Sequence, residues 1–444
     1  MTLRASLICC WILVAAFATG LVLTPQRALA QQPAAEDSIV YTVRKGDTLI
    51  TLARTWMIRE NDWQEVQRIN RVVDPYRLSV ARRLTLPVRL LKFRPASATV
   101  AAFRGDAQAS SDGSLPRAVS MGLALGEGAR VLTGPASSLS LALTDGSVIT
   151  LPSNSAMRIS RLRKLLITNS IDYELALDNG AVRSKVSPFR NRDDRFRLRN
   201  PIAVSAVRGT DFRNHYDAQD GKARAELIEG GIALTAPAMA AETRLDAEFG
   251  AVIGKTGGIA VEQLLPPPVL KAGGEIQRAP ALAFAIGAVP DAQAYRLLIA
   301  RDSGFVDIVE EMANASPSFA LPALPNGNYF ARFTAIARSG LEGMPGTFAF
   351  KRRLATAIQG TTASEHGYVF RWVGSGEGVL RYRFQLRTQD NPLYVVDEAG
   401  LSGSSIILSD LPAGRYQWRV GTTAFAPEET YSDWTEFESF SIDE

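Results

Sequence analysis

His215 and His366 are the only imidazoles in a chain of 444 residues. A Ser-His-Asp relay needs one of them beside an activated serine, and no G-x-S-x-G elbow presents one. No H-E-x-x-H pair stands ready for zinc, and no G-x-x-x-x-G-K-[ST] loop stands ready for phosphate. Asp193 and Asp194 are adjacent carboxylates. On a strand, neighbours point to opposite faces, which suits paired acid–base work poorly. The two cysteines, Cys9 and Cys10, both lie in an apolar N-terminal stretch. If that stretch is removed, no disulfide, thiolate metal site or cysteine nucleophile remains. The inventory points away from an enzyme and implies no cofactor and no metal site.

That N-terminal stretch reads as an export signal. Arg4 supplies a positive start, Leu7 to Leu23 is almost unbroken apolar sequence, and Ala28-Leu29-Ala30 is an A-x-A cleavage triplet. Residues 1–30 are thus expected to be a signal peptide, with Gln31 opening the mature chain; an uncleaved anchor is the alternative. Cys9 and Cys10 follow Ile8, so a lipoprotein signal does not fit. No later apolar run approaches the roughly 20 residues of a membrane span. No stable membrane span is expected after cleavage, and the expected location is the periplasm or cell envelope.

The net charge of +4 hides an asymmetry. Residues 39–94 carry 12 Lys/Arg against 5 Asp/Glu, whereas residues 355–444 carry 6 against 13. The front suits an anionic surface and the tail does not. An exported protein rarely meets nucleic acid, so the cell wall is the more economical partner and no nucleic acid is expected. Hydrophobic residues make up 46%, enough for several packed cores, and the length suits about three or four domains.

Four blocks follow a polar linker at residues 31–38. In the first, Val40 to Val43 reads as a strand, Gly46-Asp47 as a turn, and Asp47 or Thr48 as a helix cap. Leu49, Leu52 and Ala53 lie at helical spacing. A second helix from about Asp62 would set Trp63, Val66 and Ile69 on one face. Asp74-Pro75 gives a turn, and Arg83 to Pro87 a closing strand. Trp56 and Trp63 could stack on sugars or fill the core. Tyr41-Thr42-Val43, Gly46-Asp47-Thr48-Leu49, Ala53, Trp63, Asn70, Pro75 and Leu84-Thr85-Leu86-Pro87 together resemble the LysM domain, over residues 39–91. The resemblance implies a βααβ fold and a partner glycan containing N-acetylglucosamine, usually peptidoglycan. It also implies a sugar groove between two loops. Its candidate ligand-binding residues are Gly46, Asp47, Thr48 and Leu49 on the first loop, and Asp74, Pro75 and Tyr76, beside Val73, on the second. One departure is visible: Ala81-Arg82-Arg83 stands where the family has a glycine and a polar residue.

Residues 96–255 are dense in alternating strands and glycine turns. Leu139, Leu141 and Leu143 alternate as in a half-buried strand, and Thr144-Asp145-Gly146-Ser147 reads as the hairpin after it. Gly126-Glu127-Gly128, Thr133-Gly134, Leu177-Asp178-Asn179-Gly180, Ala206-Val207-Arg208-Gly209-Thr210 and Glu229-Gly230 follow in order. The pieces resemble the FecR domain, which implies an all-β periplasmic fold. Well-known members relay signals from an outer-membrane receptor to a sigma factor, which requires a cytoplasmic segment. Only about six residues precede the apolar stretch here, so the anti-sigma role is not expected. Envelope signalling through this domain without that segment is the alternative function, and a protein partner in the envelope is possible under either. Arg183, Lys185, Arg190, Arg192, Arg195, Arg197 and Arg199 form either an anionic contact patch or a solvated strand face, with Phe196 and Leu198 inward. Arg208 is expected to be structural.

Leu264-Leu265-Pro266-Pro267-Pro268 reads as a stiff linker. Beyond it the chain repeats at a shift of 87 residues: Leu282 falls on Val369, Ile286-Gly287 on Val373-Gly374, Tyr295-Arg296 on Tyr382-Arg383, Leu324 on Leu411, and Phe350 on Phe437, with no gap. Tyr416, Trp418 and Val420 alternate with Gln417 and Arg419, as on a strand. The L-P-x-G-x-Y-x-x-R-V strand and Ser432-Asp433-Trp434 resemble fibronectin type III modules, at residues 266–353 and 355–444. Such modules imply spacers or contact surfaces. The whole is expected to be multi-domain and mainly β: a small βααβ LysM domain, an all-β FecR-type domain and two fibronectin-like β-sandwiches. It would tether to glycan and display β-domains for protein contacts.

Overall fold

A computed structural model describes residues 37–443, apart from 112, 237–241, 275, 280, 323, 356, 365–366 and 428. The expected signal peptide at residues 1–30 and His366 lie outside the described residues. Among the described residues, no helix is long and apolar enough to cross a membrane.

The first domain runs β1 (Ser38–Thr42), α1 (Leu49–Trp56), α2 (Trp63–Asn70) and β2 (Arg83–Pro87), with β1 and β2 antiparallel. Thr48 caps α1: its Oγ1 accepts from the Thr51 N–H at 3.0 Å, and Thr51 Oγ1 accepts from the Thr48 N–H at 2.9 Å. This reciprocal pair satisfies two donors that the first turn leaves open. Leu49, Leu52, Ala53, Val66, Leu84 and Leu86 form the core. Trp56 and Trp63 pack against that core half-buried. Ile69 does not join Val66 inside; it is 38% exposed, because its position near the end of α2 overhangs the core.

The second domain packs two sheets around a large apolar core. Its longest strand, Ile171–Lys185, belongs to both sheets. The first half pairs with Ala156–Leu165 and, in parallel, with Arg195–Asn200. The second half pairs with Val148–Leu151 and Asp211–Asp217. The crossing falls at Gly180, with φ +85° and the Asn154 carbonyl only 2.5 Å from where a Cβ would stand. Only glycine fits such a backbone there. The turn after Ser138–Leu143 is a hairpin, but only Gly146 takes positive φ; Asp145 instead accepts from the Ser147 N–H at 3.2 Å. The sheet continues through Ile259–Gln263, beyond the expected boundary at 255.

Each C-terminal domain is a sandwich. In the first, Leu270–Ala272, Leu282–Ile286 and Ser318–Leu321 form one sheet, and Gly327–Ala337 lies inside a second sheet of five strands. The second domain repeats this with Gly367–Gly374 and Gly414–Phe425 in the corresponding places. Tyr295 and Tyr382, and Tyr329 and Tyr416, coincide at the shift of 87 and are buried. The shift is not constant, however. Phe284 pairs with Phe319 across its sheet, and its counterpart Phe370 pairs with Ile406. Val373, expected to match buried Ile286, is 71% exposed, and Trp372 is the buried residue. On an alternating strand a one-residue slip reverses every side chain, so the repeat drops one residue here. Likewise Phe350 stacks on Tyr329 at 5.5 Å, but Phe440, not Phe437, stacks on Tyr416 at 5.5 Å.

Candidate functional site

The two loops expected to form the glycan groove meet. The Leu49 N–H donates to the Pro75 carbonyl at 2.9 Å, bolting the start of α1 to the second loop. Within the first loop, Gly46 takes φ +92° and is exposed. The Asp47 carboxylate accepts from the Tyr41 hydroxyl at 2.8 Å and the Arg44 N–H at 2.7 Å. Burial first, then Asp47, pushes the Tyr41 phenol up to about 12. Thr48 is the helix cap, and the Leu49 side chain lies wholly in the core. The side chains of Asp47, Thr48 and Leu49 are therefore engaged within the fold, as are their backbone N–H groups, and Gly46 is the exposed residue of this loop.

The second loop is the opposite. Asp74 accepts from the Tyr76 N–H at 2.9 Å, which holds the turn. Val73 is 95% exposed and Tyr76 68% exposed. An exposed tyrosine ring on the same loop as an exposed valine is a surface on which a sugar ring can stack. The departure from the family pattern has a structural account. Ala81 takes φ +66°, the conformation a glycine would supply. Arg82 Nη2 donates to the Asn70 carbonyl at 2.8 Å, closing the C-terminus of α2, where a cation is favoured. Asn70 ties α2 to β2, accepting from the Thr85 N–H at 2.6 Å and donating to its carbonyl at 2.8 Å.

The arginine run divides: Lys185, Arg190, Arg192 and Arg199 are exposed, as on a solvated face, whereas Arg183, Arg195 and Arg197 are half-buried and engaged within the fold. Arg197 pairs with Asp37, Arg161 reaches the same carboxylate at 3.3 Å, and Arg195 donates to the Ser38 carbonyl. Burial works against ionisation of Asp37, but the guanidiniums beside it, Arg197 foremost, hold its carboxyl below the usual range. Arg199 pairs with Glu174 at 2.9 Å and Arg183 with Asp211 at 2.8 Å. Phe196 and Leu198 do point inward. The first domain is therefore clamped to the second, and Leu165 of the second domain lies in the first domain's core. Periodicity alone could not show this, since the partners of Arg195 and Arg197 lie some 160 residues upstream.

Asp193 and Asp194 are in a turn rather than on a strand. Asp194 accepts from the backbone N–H groups of Ile171, Arg190 and Asn191, so it organises the loop. Arg208 is exposed and forms no ion pair among the described residues. Its neighbours hold the structure instead: Gly209 packs against Pro188, and Gly230 against Thr210. His215 lies 3.2 Å from Arg224, and burial together with that guanidinium pushes its imidazole below the ordinary value. Among the described residues, no group of three or more His, Cys, Asp or Glu is placed to hold a metal ion.

A model of the LysM domain matches residues 41–87, and a model of FecR protein matches residues 129–233. The chain is thus a mainly-β, multi-domain protein carrying LysM and FecR domains, and both domains fit an envelope protein. No curated protein matches it. Among solved structures, a putative anti-sigma factor from Parabacteroides distasonis is 18% identical with a TM-score of 0.26, covering 30% of this chain and 59% of its own. A two-domain fibronectin type III segment of chicken tenascin is 17% identical with a TM-score of 0.22, covering 39% and 99%. The FN1–FN3 domains of chicken CNTN1 are 12% identical with a TM-score of 0.22, covering 60% and 99%. The chain spans about 59% of the length of the anti-sigma factor it matches.

Proposed function

We propose that this protein is an exported, non-enzymatic component of the cell envelope that grips peptidoglycan through its LysM domain and holds its β-domains at a fixed orientation to the wall. The observation that carries this reading is the Leu49–Pro75 hydrogen bond. It joins the two groove loops and leaves Tyr76 and Val73 exposed beside them. The clamp on Asp37 supports the second part, because the LysM domain is docked rather than strung on a linker. Peptidoglycan is the glycan class that the LysM match supports, and the basic front end suits its anionic surroundings.

Leu165 lies in the LysM core, so deleting residues 39–91 would uncover the second domain. The test is therefore co-sedimentation of the mature chain with purified peptidoglycan, beside Tyr76→Ala and Val73→Ser, across a salt series. Binding that survives moderate salt and drops about tenfold or more in Tyr76→Ala supports stacking in the groove. Binding lost at modest salt and indifferent to Tyr76 would replace it with charge attraction, since exposed charges are screened beyond about 8 Å. The absence of any sedimentation would overturn the reading.

A further inference from the structure

The first sandwich does not hang free of the FecR domain. The Ser140 hydroxyl donates to the Val306 carbonyl at 2.7 Å, Arg104 pairs with Glu310 at 2.9 Å, and Arg224 donates to the Ser339 carbonyl at 3.1 Å. Between the two domains lies a cavity of about 200 Å³. A dry engineered cavity of about 150 Å³ already admits a benzene ring, so this one has room for a small molecule.

Its walls are densely charged, and the pairing of those charges is uneven. Five guanidiniums line it, from Arg183, Arg213, Arg224, Arg296 and Arg332, against the carboxylates of Glu226, Glu311 and Glu342. Burial pushes the Glu226 carboxyl up to about 7 despite the Arg213 guanidinium. Arg183 has Asp211, Arg224 has Asp220, and Arg213 and Arg296 share Glu342. Arg332 has no carboxylate among the described residues. It is buried, its Nε donates to the Thr347 hydroxyl at 3.3 Å, its face stacks over Phe305, and its Nη1 has no partner. A buried guanidinium nitrogen left unpaired is costly.

The internal repeat supplies a control. Arg419 stands at the equivalent position of the second sandwich. There Nε donates to Gln385 at 2.9 Å, Nη2 donates to the Tyr394 hydroxyl at 2.9 Å, and the group stacks on Trp434 at 4.3 Å. The same strand position is thus satisfied within one sandwich and left open in the other, at the cavity. Apolar wall comes from Leu298, Ile308 and Ile336. A second depression shares Arg224, Ile336 and Gly340 with the cavity and adds Lys222 and Arg338, giving it a basic approach.

The geometry points to a binding site, between the FecR domain and the first sandwich, for a small organic anion whose carboxylate pairs with Arg332 and whose short apolar body lies on Leu298, Ile308 and Ile336. A planar carboxylate matches the guanidinium fork, and the unpaired Nη1 supplies the open donor.

The test is thermal melting and calorimetric titration of the mature chain with sodium benzoate and sodium hexanoate. Inorganic phosphate and sodium chloride at matched ionic strength are the controls. A saturable rise of about 5 °C at a concentration about 100-fold above Kd is expected for one of the carboxylates. Arg332→Met should lose it and Arg419→Met should keep it. Leu298→Trp fills the cavity from the apolar side, and should also lose it; this variant decides the matter if Arg332→Met does not fold. No saturable shift with either carboxylate, or a shift unchanged in both cavity variants, would overturn the proposal. An equal shift with phosphate would overturn the apolar part and leave a site for charge alone. None of these outcomes depends on peptidoglycan binding.

Discussion

The main-chain N–H of Glu342 donates to the Glu226 carboxylate at 3.1 Å, so two acidic residues from different domains meet in a buried interface. Both also face Arg213, at 3.7 Å from Glu226 and 3.1 Å from Glu342. They divide one cation unequally. Burial raises both, but Glu342 also has Arg296 at 3.4 Å and the Thr334 hydroxyl at 2.6 Å, and is drawn down to about 2. Glu226 lacks those partners, feels the Glu342 charge, and rises to about 7.

The two groups give opposite pH dependences. Glu226 binds its proton more tightly folded than unfolded, so its contribution is full below the ordinary value of 4.5 and is lost as pH rises to about 7. The loss is on the order of 3 kcal/mol across that window. Glu342 contributes above 4.5 and loses its contribution as pH falls toward about 2. His215, held below its ordinary value, contributes the opposite slope as pH rises toward 6.5, so the Glu226 contribution is read as a difference. The melting temperature of the native chain minus that of Glu226→Gln should fall from pH 5 to about 7 and level beyond, with Glu226→Gln melting higher than the native chain at about pH 8. A difference that stays flat or rises through that window would contradict the assignment.

Gly180 is the crossing point of the strand shared by both FecR sheets. At φ +85° an alanine is strained, and its Cβ would stand 2.5 Å from the Asn154 carbonyl and 2.7 Å from the Ser155 Cα. Neither obstacle is the flexible end of a side chain, so relief requires moving the Asn154–Ser155 backbone. Gly180→Ala should cost about 2–4 kcal/mol, since strain and overpacking add. Chemical denaturation followed by Tyr173 fluorescence is complicated by the many other aromatics, so amide exchange of the Ile171–Lys185 strand is the sharper measurement.

How much of this was legible in the sequence depended on range. The Thr48 cap, the Leu49-Leu52-Ala53 face and the Gly146 hairpin were local patterns and stand where periodicity puts them. Ile69 was misplaced because spacing cannot show where a helix overhangs its core. The arginine run was ambiguous because Asp37 and Ser38 reach it across the fold. The cavity at Arg332 had no signal in its own strand, where the residue reads as the outward member of an alternating pair. Its one trace was the repeat, which set it level with Arg419 but could not show that their surroundings differ.

Ala81 carries a backbone conformation that costs an L-residue about 1–2 kcal/mol. Replacing it with glycine removes that strain but adds freedom to the unfolded chain, worth about 0.4–1 kcal/mol. Ala81→Gly should therefore stabilise the LysM domain by about 0.5 kcal/mol, read as slower amide exchange in α2 and β2. It should leave the Arg82 cap on Asn70 in place. Destabilisation would mean that Ala81 makes an interaction its backbone angle does not reveal.

The repeat ends with a question of register that mutation can answer. A constant shift makes Phe437 the partner of Phe350 and predicts that its loss opens the second core. The packing assigns that role to Phe440, which meets Tyr416 at 5.5 Å and Phe370 at 5.4 Å. Phe437 instead carries Arg387 at 4.0 Å and Arg419 at 4.6 Å on its ring. Phe440→Ala should cost about 3 kcal/mol, as a core truncation does. Phe437→Ala should cost about 1 kcal/mol, the scale of a partly exposed cation–π contact. Urea melts of the two variants would rank them. The reverse order would restore the gapless repeat and require Gly414–Phe425 to pair with the last strand three residues out of its present register.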